Sequence, residues 1–237
     1  MALPGIYDAF QHWGGQTVWI YSDPHFGDKN LETGIKNRPS DEEQIKMINS
    51  CVGKKDTLII LGDIGDIECV RKLRAGFKVL IMGNHDAGVT NYQRKHVFEM
   101  FNVNKYTKQE AMADMAKRFP GWRISAHSSV DEQWAVFADN LLFDEVYEGA
   151  LIVGEKLILS HEPVEIPWLY NIHGHDHGGY IRNGHTNVCS DVIGYKPINF
   201  NQWLKEGHLA RIQTIHRACI DNAIERKKKR GEKKLCQ

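Results

Sequence analysis

The sequence has 237 residues, of which 42% are hydrophobic and 25% are charged, and its 30 basic side chains equal its 30 acidic ones in number. This composition is ordinary for a globular protein that folds in water. No apolar stretch approaches the roughly 20 residues that cross a bilayer, and the N-terminus lacks the basic and apolar regions of a secretory signal. Five cysteines at scattered positions, without a CxxC pair, indicate reduced thiols in a cytoplasmic protein.

The first third of the chain alternates between predicted strands and helices. Three short runs of β-branched and apolar residues, each soon followed by Gly or Pro, are predicted to be buried strands: residues 17–21, 57–61 and 78–82. Ser40, with Glu43 three residues later, forms a capping box that starts one helix. A short second helix is predicted at about residues 67–74. This βαβαβ order predicts an α/β sheet.

The strand signal disappears between the third strand and about residue 142. Three segments of this stretch look helical, with a break at Pro120-Gly121: residues 92–101, 108–119 and 131–141. We therefore predict a helical insertion at about residues 88–141. Because the insertion begins and ends beside polar motifs that follow strands, we expect a lid or cap that selects substrate. The alternative is a decoration packed on the edge of the sheet.

The second half of the chain contains further predicted strands and a terminal helix. The strands lie at residues 143–153, 156–160 and 169–172, around 180–181 and at 187–192. The helix, at about residues 209–229, is expected to dock on the body through one face: Ile212, Ile215, Cys219 and Ala223. We predict one domain over residues 1–225 and a basic tail at residues 226–237. Seven of the 30 basic residues lie in that tail, which can attract nucleic acid; the alternative is a frayed, solvated terminus.

Polar side chains that can bind metal follow five of the predicted strands directly. In chain order they are Asp23 and His25, Asp63, Asn84, His161, and the pair His175 and His177. Ligands at the ends of such strands can converge on one crevice. Each motif alone could be a turn or a packed structural residue, but the ordered set indicates a metal site, and a two-metal one. Carboxylate, imidazole and amide donors suit Mn²⁺, Fe²⁺ or Zn²⁺ better than Ca²⁺.

The ordered motifs resemble those of the calcineurin-like metallophosphoesterase superfamily, and of its small bacterial and phage-type subgroup. They are Asp23-Pro24-His25, Gly62-Asp63, Gly83-Asn84-His85-Asp86, the lone His161, and Gly174-His175-Asp176-His177. The resemblance covers roughly residues 17–195 without the insertion. It implies an α/β fold, a four-layer α/β/β/α sandwich interrupted by the helical insertion after the Gly-Asn-His-Asp motif.

The resemblance also implies a role for each motif residue. One metal would be held by Asp23, His25, Asp63 and His177, and the other by Asp63, Asn84, His161 and His175, with Asp63 bridging. The two divalent cations would be Mn²⁺ first, with Fe²⁺, Zn²⁺ or Ni²⁺ as alternatives, and would share a hydroxide as the nucleophile. His85 would be a general acid or charge stabiliser over the substrate phosphate, and Asp86 would hold its other ring nitrogen.

The choice of substrate depends on departures from the wider pattern. Many phosphoprotein phosphatases of the superfamily carry an Arg just after Gly-Asp, whereas Ile64 follows Asp63 here. Without an arginine to grip a dianionic monoester, we predict a phosphodiesterase. A phosphomonoesterase acting on a nucleotide or small phosphate, a nuclease, and a non-catalytic scaffold are the alternatives. Asn30 and Arg38 are predicted phosphate contacts, the alternative being an exposed arginine without a role. Asp28 occupies a position where the subgroup commonly has His.

Overall fold

The computed structural model describes residues 17–87, 96–127, 131–139, 142–213 and 215–235. The chain forms two compact units. One, here called the main unit, contains Met1–Asp86 and Glu145–Gln237, and the other, the inserted unit, is Ala87–Asp144. Each unit is described by itself below.

The first part of the main unit confirms the predicted alternation of strands and helices. Its elements are β1 (Val18–Tyr21), α1 (Lys29–Gly34), α2 (Asp41–Cys51), β2 (Thr57–Ile60), a 3₁₀ helix (Ile67–Lys72) and β3 (Phe77–Ile81). The predicted capping box at the start of α2 is present, because the Glu43 carboxylate accepts hydrogen bonds from the Ser40 backbone N–H and hydroxyl. The first of these contacts satisfies a backbone donor at the N-terminus of the helix.

The inserted unit is mixed α/β, so the prediction of a wholly helical insertion is wrong. It contains β4 (His96–Asn102), α3 (Lys108–Arg118), β5 (Arg123–Ala126) and β6 (Gln133–Asp139). Both outer strands pair antiparallel with β6. Only α3 matches a predicted helix, and its N-cap, Thr107, forms a second capping box with Glu110.

The misread segments have the pattern of strands. In β4, Val97 and Phe101 pack in the core of the inserted unit, while the alternate residues Phe98 and Met100 are 58% and 39% exposed. This alternation has a period of two, as expected for a half-buried strand, although the four-residue spacing of Val97 and Phe101 also fits a helix. Residues 92–95 and 140–141 of the predicted helices lie outside the described residues. That the insertion covers the crevice stays a prediction.

The rest of the main unit supplies a second sheet and the remaining helices. The elements are β7 (Glu145–Tyr147), β8 (Leu151–Val153), β9 (Leu157–Ser160), β10 (Tyr170–His173), β11 (His185–Asn187), β12 (Ile198–Asn199), α4 (Phe200–Lys205) and α5 (Ile215–Leu235). The predicted strand at residues 180–181 is wrong, since Tyr180 and Ile181 lie in an irregular segment and are 68% and 90% exposed. Only the first residue of the predicted strand at 187–192 belongs to β11.

Two sheets of the main unit share one apolar core. The first has the order β12-β1-β2-β3-β7, parallel except for β12, and the second has the order β11-β10-β9-β8, parallel except for β8. Alternate residues of both sheets meet in this core, among them Ile20, Ile59, Val79, Leu159 and Ile172. This arrangement confirms the predicted α/β class.

The C-terminal helix differs from its prediction. It begins at Ile215 and reaches Leu235, so it contains the first part of the predicted basic tail. Cys219 and Ala223, two of the residues predicted to dock it, are exposed, whereas Ala218 is buried. These two residues were wrongly assigned to the docking face, because small side chains spaced four apart are a weak signal of burial; Ile212 is half-buried, and the side chain of Ile215 lies outside the described residues. Within the described part of the chain, no helix has both the length and the apolar character needed to span a bilayer.

Candidate metal centre

The predicted metal ligands follow the carboxyl ends of neighbouring strands. Strands β1, β2 and β3 are parallel and lead to the loops that carry Asp23, Asp63 and Asn84, while β9 and β10 lead to His161 and His175. Because parallel strands end at the same edge of a sheet, their loops emerge together there. The backbone N–H of Asp23 donates to the Gly62 carbonyl at 3.1 Å, which joins two of these loops directly.

The ligand loops are folded tightly enough to put four ligand residues in the left-handed backbone region. The φ angles are 55° at Asp23, 42° at His25, 52° at Asp63 and 63° at His175. A non-glycine residue in a sparsely populated region costs on the order of 1–3 kcal/mol, and such residues cluster at functional sites. The conformations of these four residues are therefore stabilised by the surrounding fold.

Two motif glycines allow the loops to approach one another closely. A Cβ at Gly83 would overlap the Asp63 carboxylate, and a Cβ at Gly174 would overlap the Ser22 hydroxyl and the Asp23 carboxylate. Neither glycine has room for any side chain. The glycines that precede Asn84 and His175 are thus required by close packing around the ligands.

The first donor group consists of Asp23, His25 and His177, whose donor atoms all lie within 4.8 Å of one another. His25 Nε2 and His177 Nε2 are each 3.9 Å from Asp23 Oδ1. His25 Nε2 also lies 3.5 Å from Asp63 Oδ2. The structure therefore brings together the four residues predicted for one metal.

The second donor group consists of Asp63, His161, His175 and Asn84. Donor atoms of the first three lie within 4.8 Å of one another. His161 Nε2 is 3.4 Å from Asp63 Oδ2, 2.9 Å from Asn84 Oδ1 and 3.0 Å from His175 Nδ1. The same Asp63 oxygen therefore faces both groups, as expected of a bridging ligand.

The donor atoms fit a divalent cation. Asp23 Oδ1 and His25 Nε2 are both buried, and neither has a hydrogen-bond partner among the described residues. An unsatisfied buried polar group costs about 1–3 kcal/mol, and a charged one more. A cation between these atoms would satisfy both of them. Mixed oxygen and imidazole donors suit Mn²⁺, Fe²⁺ and Zn²⁺.

Electrostatics keep the shared carboxylate ionised. Burial alone would raise the pKa of Asp63, but hydrogen bonds from His161 and from the His85 backbone lower it to about 2. Burial lowers the pKa of His25, which favours its neutral, metal-binding form. For His161, burial also lowers the pKa, but the Asp63 and Asp23 carboxylates raise it to about 8. A cation that binds the second group must therefore displace the proton that His161 holds near neutral pH.

Arg38 does not have the predicted role of a phosphate contact. Its side chain is 2% exposed, and Nη1 donates to both oxygens of Asp191 at 2.7 and 2.8 Å. Nη2 donates to the Pro24 carbonyl at 2.7 Å. The guanidinium therefore contacts the loop of the first donor group, and Nη1 and Nη2 both donate to protein atoms.

Asp191 and Tyr195 are site residues that the sequence did not reveal. Asp191 Oδ2 lies 2.5 Å from His177 Nδ1, and the Tyr195 hydroxyl donates to Asp191 Oδ1. Burial would raise the pKa of Asp191, but His177, Tyr195 and Arg38 lower it. The available signal was position, since Asp191 follows shortly after β11 as the ligands follow their strands. The over-long strand predicted at residues 187–192 concealed it.

Cys189 completes a third cluster with His177 and Asp191, which we interpret as a hydrogen-bond network and not as a metal site. The Cys189 sulfur lies 3.4 Å from His177 Nδ1, and the three donor atoms lie within 4.8 Å of one another. The Asp191 carboxylate, however, is already bound by Arg38 and Tyr195. Burial and the nearby Asp23 raise the pKa of the Cys189 thiol, so it stays protonated and a poor metal ligand.

His85 lies on the exposed side of the centre, where a substrate could approach. Its side chain is 65% exposed, and Nε2 is 4.0 Å from Asp63 Oδ2. Its ring lies 5.8 Å from that of His25. It is therefore near the shared carboxylate and reachable from solvent, as the predicted role requires.

Asp86 has different partners from those expected. Its carboxylate accepts backbone N–H groups from Asp63 at 2.8 Å, Ile64 at 3.0 Å and Gly83 at 2.8 Å. These bonds use both oxygens to join the loops after β2 and β3. The expectation that Asp86 orients the His85 ring is wrong, and the residue instead fixes the loops that carry Asp63 and Asn84.

Asn30 lies in the exposed first turn of α1. Its backbone N–H donates to the Asp28 carboxylate at 2.9 Å, and Asp28 is the N-cap of that helix. No contact between its side chain and the two donor groups is found among the described residues. A contact from Asn30 to the substrate stays a prediction.

The strand-end donors, on an α/β body with two sheets around a common core, define a metal-binding α/β protein. Comparison with known families identifies it further: residues 16–220 match the model of the family described as calcineurin-like phosphoesterase. The chain therefore belongs to that family, which confirms the resemblance seen in the motifs.

Two individual proteins are also similar to the chain. It is 42% identical over 82 residues to the Gene 66 protein of Mycobacterium phage L5, in an alignment that covers 29% of this chain and 39% of the relative. The chain thus matches less than half the length of that curated relative. A solved structure of a protein of unknown function from Aquifex aeolicus is similar with 20% identity and a TM-score of 0.48, over 81% of this chain and 99% of the other.

Proposed function

We propose that the protein hydrolyses phosphodiesters with two divalent cations held by Asp23, His25, Asp63, Asn84, His161, His175 and His177. The observation that carries this proposal is the position of Asp63 Oδ2, which lies 3.5 Å from His25 Nε2 and 3.4 Å from His161 Nε2. A carboxylate shared by two donor groups is the arrangement expected of a dinuclear site. When bound, the cations would activate water and offset the negative charge of the phosphate.

The protein side chains would bind the metals, assist proton transfer and hold the ligand loops in place. The seven ligands orient the centre and keep it intact, while His85, whose ring is exposed beside Asp63, donates a proton to the leaving oxygen or stabilises its charge. Asp86 keeps the Asp63 and Gly83 loops together through their backbone N–H groups. Its contribution is to loop geometry and not to proton transfer.

Three observations favour a diester over a monoester. Position 64, where a phosphate-binding arginine would follow Gly-Asp, holds Ile64, which is fully buried. Arg38 is bound to Asp191 and Pro24. A cavity of about 300 Å³ beside Asn84 and His161 is lined by Glu148 and Glu162. Carboxylates there repel a second negative charge, so a singly charged diester fits this side of the centre better than a dianion.

The test is a substrate panel with added Mn²⁺. It compares an aryl phosphodiester, the matching aryl monoester, cyclic nucleotides and single-stranded nucleic acid. We expect kcat/KM to be highest for a diester. Asp63→Asn, which removes the charge shared by both groups, should reduce turnover to background with loss of bound metal. Asp66→Asn is the matched control, because it alters an exposed carboxylate on the same loop that caps the 3₁₀ helix. Preference for the monoester, or full activity of a folded Asp63→Asn protein, would contradict the proposal.

Hydrolysis of nucleic acid is a second candidate, favoured by the basic segment of α5. Arg226, Lys227, Lys228, Lys229 and Arg230 are consecutive and exposed. Successive residues on a helix are about 100° apart, so these cations surround the helix. Such a surface attracts phosphate backbones in a salt-dependent manner. Cleavage of single-stranded RNA or DNA that weakens as salt is raised would support this candidate.

A further inference from the structure

The two ring nitrogens of His177 face different partners. Nε2 lies 3.9 Å from Asp23 Oδ1, on the side of the first donor group, and Nδ1 lies 2.5 Å from Asp191 Oδ2. An ionised carboxylate can only accept a hydrogen bond. The short contact therefore places a proton on Nδ1 and leaves the Nε2 lone pair free for a metal.

Asp191 is itself held in place by buried partners. Arg38 donates to both of its oxygens, and the side chains of Arg38 and Asp191 are 2% and 5% exposed. The hydroxyl of Tyr195 donates to Oδ1 of the same carboxylate. Asp191 therefore has little freedom to rotate away from His177.

The same network holds the loop that carries the other ligands of the first group. Arg38 Nη2 donates to the carbonyl of Pro24, the residue between Asp23 and His25, at 2.7 Å. Ser190, next to Asp191, donates its hydroxyl to the Asp23 carbonyl at 2.7 Å. One set of buried contacts thus fixes the three ligands of the first group relative to one another.

The second donor group has a neutral counterpart of this arrangement. His161 Nδ1 lies 2.8 Å from the backbone carbonyl of Leu61. A carbonyl fixes the ring tautomer as a carboxylate does, but it carries no net charge. A charged acceptor makes imidazole a more basic ligand than a neutral acceptor does.

We propose that Asp191 is a positioning residue that acts on one metal position only: it fixes the tautomer and orientation of His177 and so strengthens metal binding at the first donor group. Arg38 and Tyr195 support it by holding the carboxylate. The inference rests on the proposed function only in that the centre binds metal. It does not depend on which phosphoester is cleaved, or on cleavage at all.

The first experiment measures Mn²⁺ affinity by calorimetry in two backgrounds. His175→Ala disables the second group and leaves the first, whereas His25→Ala does the reverse. Asp191→Asn should weaken Mn²⁺ binding about 10–100-fold in the His175→Ala background, the usual effect of removing such a partner. In the His25→Ala background it should change the affinity little. Equal losses in both backgrounds, or no loss in the first, would overturn the proposal.

The second experiment observes the tautomer directly and covers the case in which Asp191→Asn fails to fold. Proton–nitrogen NMR of the zinc-loaded wild-type protein should show the His177 ring proton on Nδ1; a zinc-loaded protein in which Nδ1 carries no proton would refute the assignment. Tyr195→Phe, which removes one bond to Asp191 but keeps Arg38, should weaken Mn²⁺ binding in the His175→Ala background by less than Asp191→Asn. A larger loss of affinity in Tyr195→Phe would contradict the proposal that Tyr195 acts only by holding Asp191.

Measurements without substrate separate this inference from the proposed function. A protein that binds two cations and shows the Nδ1 proton, yet hydrolyses none of the panel, would refute the phosphodiesterase and leave the role of Asp191 intact. An active phosphodiesterase whose metal affinity is unchanged by Asp191→Asn would refute the role of Asp191 and leave the proposed function intact.

Discussion

The two donor groups of the metal centre differ in burial and in the partners of their histidines. In the first group, Asp23 is fully buried, and His177 Nδ1 is hydrogen-bonded to the Asp191 carboxylate. In the second group, Asn84 and His175 are exposed, and His161 Nδ1 is hydrogen-bonded to the backbone carbonyl of Leu61. The difference indicates a firmly anchored position at one side and an open position at the other, where a substrate phosphate could reach the centre.

The most severe test of this comparison removes one histidine from each group. His25→Ala and His175→Ala should each reduce turnover to background, because hydrolysis is expected to need both cations. Metal analysis should find about one cation lost in each case. The remaining cation should bind more tightly in His175→Ala, which retains the anchored group. Tighter binding in His25→Ala would reverse the comparison.

His85→Ala should impair turnover without removing metal. The residue is not assigned as a ligand, and its ring is mostly exposed beside Asp63. We expect a loss of about 10²–10⁴-fold in kcat, the usual contribution of general acid–base assistance. Elemental analysis should still find both cations. Metal loss as large as that of His175→Ala would show that His85 is a ligand.

Asp86→Asn tests whether Asp86 holds the loops after β2 and β3 together, and not, as first expected, whether it orients the His85 ring. An amide in this place offers one acceptor where the carboxylate accepts three backbone N–H groups. Each donor left unsatisfied costs about 1–3 kcal/mol. We therefore expect a lower melting temperature in metal-free protein, with turnover reduced less than in His85→Ala. A catalytic loss equal to that of His85→Ala at unchanged stability would restore a role in orienting His85.

The ligands could be predicted from the sequence because their signals are local. Each set follows a short apolar run, and all of the ligands except His161 stand beside glycine or proline, as Asp63 follows Gly62. Strand, turn and ligand are therefore close together in the sequence. Asp191 and Arg38 could not be paired in this way, because 153 residues separate them in the chain. Arg38 also gave no sign that its donors were occupied, since an arginine buried by a distant carboxylate looks the same in sequence as one on the surface.

In the inserted unit, by contrast, a local sequence pattern led to a wrong prediction of secondary structure. In β4, Val97 and Phe101 satisfy the spacing of a helix as well as that of a strand. The choice was made by antiparallel pairing with β6, in which Phe98 faces Phe137 and Met100 faces Ala135. Such pairing depends on residues more than 30 positions away. Strand formation here is a tertiary effect that overrides a weak local preference.

The smallest expected effect concerns the basic end of α5, which lies far along the chain from every ligand. Deletion of residues 226–237 should leave turnover of a small aryl diester unchanged, since no assigned ligand follows His177. Binding of single-stranded nucleic acid should weaken. Its salt dependence should flatten, because a protein that contacts fewer phosphates releases fewer counterions when it binds. Replacing the five residues Arg226–Arg230 with Gln is the matched control, as it removes charge but keeps helix-forming residues. Both variants should behave alike at two salt concentrations. Collapse of aryl diester turnover in a well-folded truncated protein would instead place the C-terminal helix in the active site.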